Sequence, residues 1–131
     1  MKKSLFKVFI IGILFSPKAR KILIGKNLGD KNYSFVEGEL SQEEELDKCL
    51  KRNTTEKTGY IIHNLGAVYA KNLIHKSKQK LELYFLCEAT EGEMKKGKKV
   101  EDLKWVKPSE VEKYLKEKFP QRLKEYILNL E

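Results

Sequence analysis

The sequence predicts one domain of the α+β class, and three observations support this prediction. The chain has 131 residues, the usual length of a single domain, so residues 1–131 are assigned to one unit. Hydrophobic residues make up 40% and charged residues 35% of the chain, which is enough apolar material for a core and excludes a disordered protein. Segments typical of strands and helices follow in the order β-β-β-α-β-β-β-α-α.

The N-terminal third is expected to contain three extended segments. Residues 5–15 are rich in β-branched and aromatic side chains and end at a Ser-Pro turn, and residues 21–25 form the second strand of a hairpin. Residues 33–36 are a brief third segment. The first apolar run also has the outline of a secretory signal, but Lys7 interrupts it and no small-residue cleavage site follows. A buried strand and a cytoplasmic protein are therefore expected.

A helix is predicted over residues 41–58. Ser41 and Glu44 have the spacing of a capping box at its start, and Gly59 supplies the stop. Its apolar stripe is thin and consists of Leu46, Cys49, Leu50 and Asn53.

The second half of the chain predicts three more strands and two helices. Residues 60–70, 80–90 and 100–106 are the strands, and the last of them carries Trp105, the only tryptophan. Residues 71–80 are expected to be a basic connector and residues 91–99 a polar loop. Pro108 opens the first C-terminal helix, and Pro120 restarts a final helix that runs to residue 130.

Several common kinds of site are excluded. Two cysteines, Cys49 and Cys87, are too few for a disulfide scaffold or a four-thiolate zinc site and are expected to be reduced. His63 and His75 lack partners at metal-ligand spacing. No phosphate-binding glycine loop or nucleophile elbow is present. The longest apolar stretch, residues 8–15, is far shorter than the roughly 20 residues of a membrane span.

One motif carries chemical information. Gly38 is followed after five residues by Glu44 and after seven more by Arg52, and then come Glu56 and Gly59. This spacing resembles the Nudix box, G-x5-E-x7-R-E-U-x-E-E-x-G-U, in which U is a bulky aliphatic residue. Five of its nine defined positions match. A single one of these residues is more often only a cap or an exposed ion pair, but the ordered spacing favours the family.

The flanking sequence agrees with the same resemblance. Tyr33 and Phe35 stand where the family has an aromatic-x-Phe before the box, and the acidic pair Glu101-Asp102 precedes Trp105. Most of the chain is therefore similar to the family, which implies an α/β/α sandwich with a mixed β-sheet.

The resemblance also implies an activity. Nudix hydrolases of the MutT-like kind cleave nucleoside diphosphate derivatives by metal-assisted attack of water, with Mg²⁺ or Mn²⁺ held by box carboxylates. By this resemblance Arg52 and Glu44 support the box helix and its loop, and Glu56 is a metal ligand. The family often draws a further carboxylate from a late loop, for which the candidates here are Glu91, Glu93 and Glu101.

The departures from the box weaken the metal site. Asn53 replaces the glutamate after the arginine, Lys57 replaces the second residue of the Glu-Glu pair, and Glu37 replaces the first glycine of the turn. The aliphatic positions are Thr54 and Tyr60. Hard divalent cations need several oxygen ligands, so one remaining box carboxylate beside an ammonium group is a poor site.

Lys57 is predicted to contact a diphosphate directly, with Gly38 in the same binding site. Lysine is a compact point charge towards phosphate but generates no nucleophile. Weak or lost hydrolysis is therefore expected. Two functions stay open: a phosphoanhydride hydrolase with a degenerate Nudix box, or a non-catalytic module for nucleotide, RNA or protein that needs no metal.

The chain is basic, with a formal net charge of +8. Two lysine clusters are expected in loops, Lys71, Lys76, Lys78 and Lys80 in one and Lys95, Lys96, Lys98 and Lys99 in the other. Such patches suit phosphate-rich partners, although no RNA-binding motif accompanies them and a solvated surface is the favoured interpretation.

Overall fold

The elements of the structure follow the predicted order. The computed structural model describes residues 6–41, 43–116 and 118–131, without the side chain of residue 75. The strands and helices are β1 (Phe6–Ser16), β2 (Lys21–Asn27), β3 (Val36–Glu39), α1 (Leu46–Thr58), β4 (Tyr60–His75), β5 (Lys78–Gly92), β6 (Val100–Val106), α2 (Val111–Tyr114) and α3 (Gln121–Leu128). A 3₁₀ turn, Pro108–Glu110, leads directly into α2.

A mixed sheet of six strands forms the centre of the molecule. Its order is β4-β5-β1-β2-β6, and β3 pairs with β1 beside β2. Strand β1 runs parallel to β5 over most of its length, and the other pairs are antiparallel. This confirms the mixed sheet expected from the sequence.

Side chains of β1 alternate between two apolar cores, one on each face of the sheet. Ile11 and Ile13 lie in the core that includes Val111 of α2 and Leu123 and Ile127 of α3. The other core contains Ile10 and Leu14 of β1 with Cys49 and Leu50 of α1. Because successive strand residues point to opposite faces, one apolar strand fills both layers. The α/β/α sandwich is confirmed.

Helix α1 lies very close to the sheet. A Cβ atom at Gly12 would be only 3.1 Å from Cδ1 of Leu50, so a side chain in β1 at this point would require Leu50 to shift. Thr54 and Thr58 are fully buried in the same contact, and their hydroxyls donate to the carbonyl oxygens of Leu50 and Thr54 at 2.8 and 2.6 Å. The helix therefore packs through small polar residues whose hydrogen bonds are satisfied inside the helix.

The predicted start of this helix was wrong. It begins at Leu46, and Glu45 at the N-cap makes no side-chain capping bond, so Ser41 and Glu44 do not form a capping box. Two bonds from Arg52 hold the Glu44 carboxylate in front of the helix. Leu46 is also exposed, and the apolar contact is made by Cys49 and Leu50.

The basic connector predicted at residues 71–80 is in fact the end of a long hairpin. Strand β4 continues to His75 and β5 starts at Lys78, with Lys76 in the turn at a φ of 57°. Lys71 lies directly opposite Glu82 across the two strands, and Lys80 is two residues before Glu82 on the same face. Opposite charges that face each other across strands stabilise the pair, so these lysines extend the sheet rather than interrupt it.

The remaining boundaries differ by a few residues. Strand β5 extends to Gly92, and α3 ends at Leu128. Within the part of the chain that the structure describes, every helix is too short or too polar to cross a bilayer.

Candidate functional site

Arg52 joins the two glutamates that the box motif places around it. Its Nε and Nη2 atoms donate to the two carboxylate oxygens of Glu44 at 2.8 and 2.9 Å, and Nη1 donates to Oε2 of Glu56 at 3.4 Å. The two-pronged bond is the stronger kind of ion pair and holds the pKa of Glu44 below its usual range. Arg52 thus ties the loop before α1 to the helix itself.

Glu56 is the one box carboxylate that the sequence retains for metal binding. Its side chain is 62% exposed, and Arg52 is the cation beside it. The charge of this carboxylate is therefore partly offset by a guanidinium group and is well solvated.

Asn53 is folded back against its own helix. Its Nδ2 atom donates to the carbonyl oxygen of Cys49 at 2.8 Å and lies 3.4 Å from the Cys49 Sγ atom. The amide lies flat on Gly38, where an added Cβ would be 2.2 Å from Asn53 Cγ. Gly38 therefore makes room for the residue next to Arg52, which is a structural reason for a glycine at the first box position.

Lys57 reaches across from α1 to strand β3, at the residue before Gly38. Its Nζ atom donates to the backbone carbonyl oxygen of Glu37 and is half-buried. Burial lowers the pKa of the Lys57 ammonium group, while the nearby carboxylates of Glu37 and Glu56 oppose this effect. A positive charge is thus fixed between the helix and β3.

The residues present do not fit a divalent metal ion. Among the described residues there is no group of three or more acidic, histidine or cysteine side chains able to hold one. Glu101 forms an ion pair with Lys26 at 3.2 Å, and the backbone carbonyl oxygen of Glu93 lies against Gly59. Among the described residues, these carboxylates therefore do not complete a group of three ligands with Glu56.

The loop between β5 and β6 instead brings lysines to this place. The amide nitrogens of Lys95 and Gly97 donate to the carbonyl oxygens of Thr58 and Lys57 at 2.8 and 3.2 Å. An open recess of about 720 Å³ lies here, lined by Glu56, Lys57, Lys95, Lys96, Lys98 and Lys99. The sequence identified these lysines as a basic patch but did not place them beside the box helix. One feature of the sequence could have indicated that the lysines lie beside the box helix. They occur in the late loop, from which the family often draws a further carboxylate for its metal site.

A second cleft, of about 350 Å³, lies between the sheet and the C-terminal helices. Phe35 and Phe119 stack at its wall with ring centroids 5.7 Å apart. Glu82 is only 7% exposed and accepts bonds at 3.1 Å from Lys80 and from the hydroxyl of Tyr84. The strand pattern of β5 gave no sign that this glutamate is buried.

A model of the NUDIX domain family matches residues 7–130. The chain belongs to the Nudix family. No curated protein sequence matches it.

Solved structures of Nudix proteins have the same fold as this chain. A MutT protein from Methanosarcina mazei Go1 superposes with a TM-score of 0.74 at 12% identity, covering 99% of this chain and 96% of that one. A Nudix hydrolase from Nitrosomonas europaea gives 0.79 at 16% identity, covering 97% and 72%. A UDP-X diphosphatase gives 0.73 at 14% identity, covering 99% of this chain but only 63% of its own. At these identities the likeness establishes the fold alone.

The contact between Gly38 and Asn53 predicts a specific coupling. Gly38→Ala in the wild-type chain should cost about 1–3 kcal/mol, because the new methyl group overlaps the Asn53 amide. In an Asn53→Ala background the same change should cost little. Urea unfolding of the four proteins of this cycle measures the coupling. Equal costs in both backgrounds would show that the close contact does not limit position 38.

The Arg52–Glu44 pair predicts a pH-dependent stability. The folded pKa of Glu44 lies below the ordinary value of 4.5, so its contribution is present above that pH and is lost as the pH falls through the folded pKa. Arg52→Met should lower the free energy of unfolding at neutral pH, and its deficit should shrink in acid. Denaturant titrations from pH 7 to about pH 3 test this, with Lys48→Met as the control that removes an exposed charge from the same helix. A deficit that is independent of pH contradicts the assignment.

Proposed function

We propose that this Nudix chain binds nucleoside diphosphate derivatives without a divalent cation and hydrolyses them weakly or not at all. The observation that carries the proposal is the Lys57 ammonium group, fixed on the carbonyl oxygen of Glu37 beside Glu56. A fixed positive charge at this position attracts a phosphate group and repels a metal ion.

The same geometry disfavours hydrolysis. An ammonium group supplies one positive charge but holds no water of lowered pKa, so it does not generate a nucleophile. The Asn53 side chain is an amide rather than a carboxylate, and it donates to the Cys49 carbonyl oxygen inside the helix. Glu56 is left as the one box carboxylate able to accept a proton from water, and Arg52 already contacts it at 3.4 Å.

The cleft between the sheet and the C-terminal helices, called the aromatic cleft because Phe35 and Phe119 form its wall, offers a place for the nucleoside part of such a ligand. Glu37 is one of the residues that line this cleft, and its backbone carbonyl oxygen accepts the bond from Lys57. The cleft and the ammonium group therefore both border the same residue. Aromatic walls formed by Phe35 and Phe119 suit an apolar, planar group. The fold neighbour described as a UDP-X diphosphatase supports the substrate class.

Calorimetry with ADP and a UDP-sugar, in EDTA and then in excess Mg²⁺, tests the proposal. We expect similar affinities in both buffers for the wild type. Lys57→Met should weaken binding by about tenfold or more, since it removes a partly desolvated charge, whereas Lys48→Met should change it little. Binding that requires Mg²⁺, or turnover that Glu56→Gln abolishes, would overturn the proposal.

The paired substitutions Asn53→Glu and Lys57→Glu are expected to create Mg²⁺ binding. They place two carboxylates on the helix face that carries Glu56, and three oxygen-donor side chains are a reasonable minimum for this ion. Mg²⁺ titration by calorimetry should give measurable heat for the double variant and none for the wild type. Asn53→Gln with Lys57→Gln is the matched control, since it changes shape similarly without adding charge. Tight Mg²⁺ binding by the wild type would show that its site is intact.

A further inference from the structure

The lysine loop, defined here as Lys95, Lys96, Lys98 and Lys99, is held in place by the end of α1. Backbone bonds run from Lys95 to Thr58 and from Gly97 to Lys57. A Cβ at Gly97 would lie 2.3 Å from the carbonyl oxygen of Glu56, so the loop backbone lies directly on the helix. The loop therefore presents its ammonium groups on a backbone that is fixed by main-chain contacts rather than by the lysine side chains.

We propose that the lysine loop and Lys57 form one binding site for a chain of three or more linked phosphates. This rests on the proposed function, because Lys57 is the group that receives the first phosphates of a nucleotide. The loop extends the same site to the distal phosphates and makes the longer phosphate chain the preferred ligand.

The charge of the recess supports this ligand. Five lysines are among the residues that line it, and the acidic residue among them is Glu56, which already contacts Arg52. The ammonium group of Lys96 donates to the carbonyl oxygen of Glu101 at 3.2 Å. The bonds donated by the loop amides also cover the carbonyl oxygens of Lys57 and Thr58, which would otherwise turn the negative end of α1 towards an anion. The net field in the recess is positive, as a polyphosphate requires.

The position of Lys57 supports the continuity of the site. Lys57 lines this recess and also lines the small pocket beside Phe35 and Val36, next to the aromatic cleft. Lys57 is therefore the lysine shared by the recess and by the small pocket on the side of the cleft. A diphosphate would satisfy Lys57 alone, whereas further phosphates meet the remaining ammonium groups.

The opposing explanation is that the loop lysines only offset the dipole at the end of α1. In that case their removal lowers stability and changes no affinity. Stability and affinity therefore have to be measured on the same variants.

Calorimetry with inorganic tripolyphosphate and pyrophosphate, in EDTA at low salt, tests the proposal. The wild type should bind tripolyphosphate about tenfold more tightly than pyrophosphate, and the preference should fall steeply with added salt. The four-residue variant Lys95→Gln, Lys96→Gln, Lys98→Gln, Lys99→Gln should lose the preference and still bind ADP. The matched control removes four exposed lysines elsewhere, Lys18, Lys31, Lys78 and Lys113, and should keep it.

The outcomes separate the two proposals. If the loop variant keeps the preference for tripolyphosphate, or if the control loses it equally, the loop is not the site, and metal-free binding of ADP still stands. If the wild type binds no ADP without metal, the proposed function fails and this site fails with it. The two double variants, Lys95→Gln with Lys96→Gln and Lys98→Gln with Lys99→Gln, should each lose part of the preference. Thermal unfolding of every variant excludes loss of the fold as the cause.

Discussion

The close approach of helix α1 to the sheet is the constraint on which the rest of the site depends. Gly12 lets Leu50 reach β1, and Gly38 lets the Asn53 amide lie flat against β3. Lys57, one helical turn after Asn53, reaches the carbonyl oxygen of Glu37 on the same strand. The packing of the helix and the position of the ammonium group therefore meet at the same contact with the sheet.

This packing also explains which polar residues the helix carries. Thr54 and Thr58 are small enough for a tight contact, and both satisfy their hydroxyls within the helix. For Lys57, burial outweighs the nearby carboxylates of Glu37 and Glu56, so the pKa of its ammonium group is lowered. The proposed binding of phosphate at Lys57 rests on this partly buried ammonium group.

The sequence predicted the fold and the contacts within the box, and it failed where charges from distant segments decide the structure. The spacing of Glu44, Arg52 and Glu56 was enough to place them together. The start of α1 was wrong because Glu44 bonds to Arg52 instead of capping the helix. The prediction of a basic connector over residues 71–80 was wrong because Glu82 balances the charges of Lys71 and Lys80. This pairing depends on strand register. The lysine loop contacts α1 through backbone hydrogen bonds. Such bonds do not depend on side-chain type, so the sequence did not predict this contact.

The matched box positions divide into those that hold the structure and one that holds chemistry. Gly38 accommodates Asn53, Arg52 anchors Glu44, and Gly59 adopts a φ of 81° where the helix ends against the late loop. Each of these has a structural task that needs no metal ion. Asn53 and Lys57 stand at the box positions whose carboxylates would bind a metal ion. The proposed binding of phosphate through ammonium groups is compatible with this division, because it uses the structural positions for the fold and needs no carboxylate at positions 53 and 57. Glu56 contacts Arg52 and so is linked to both sets.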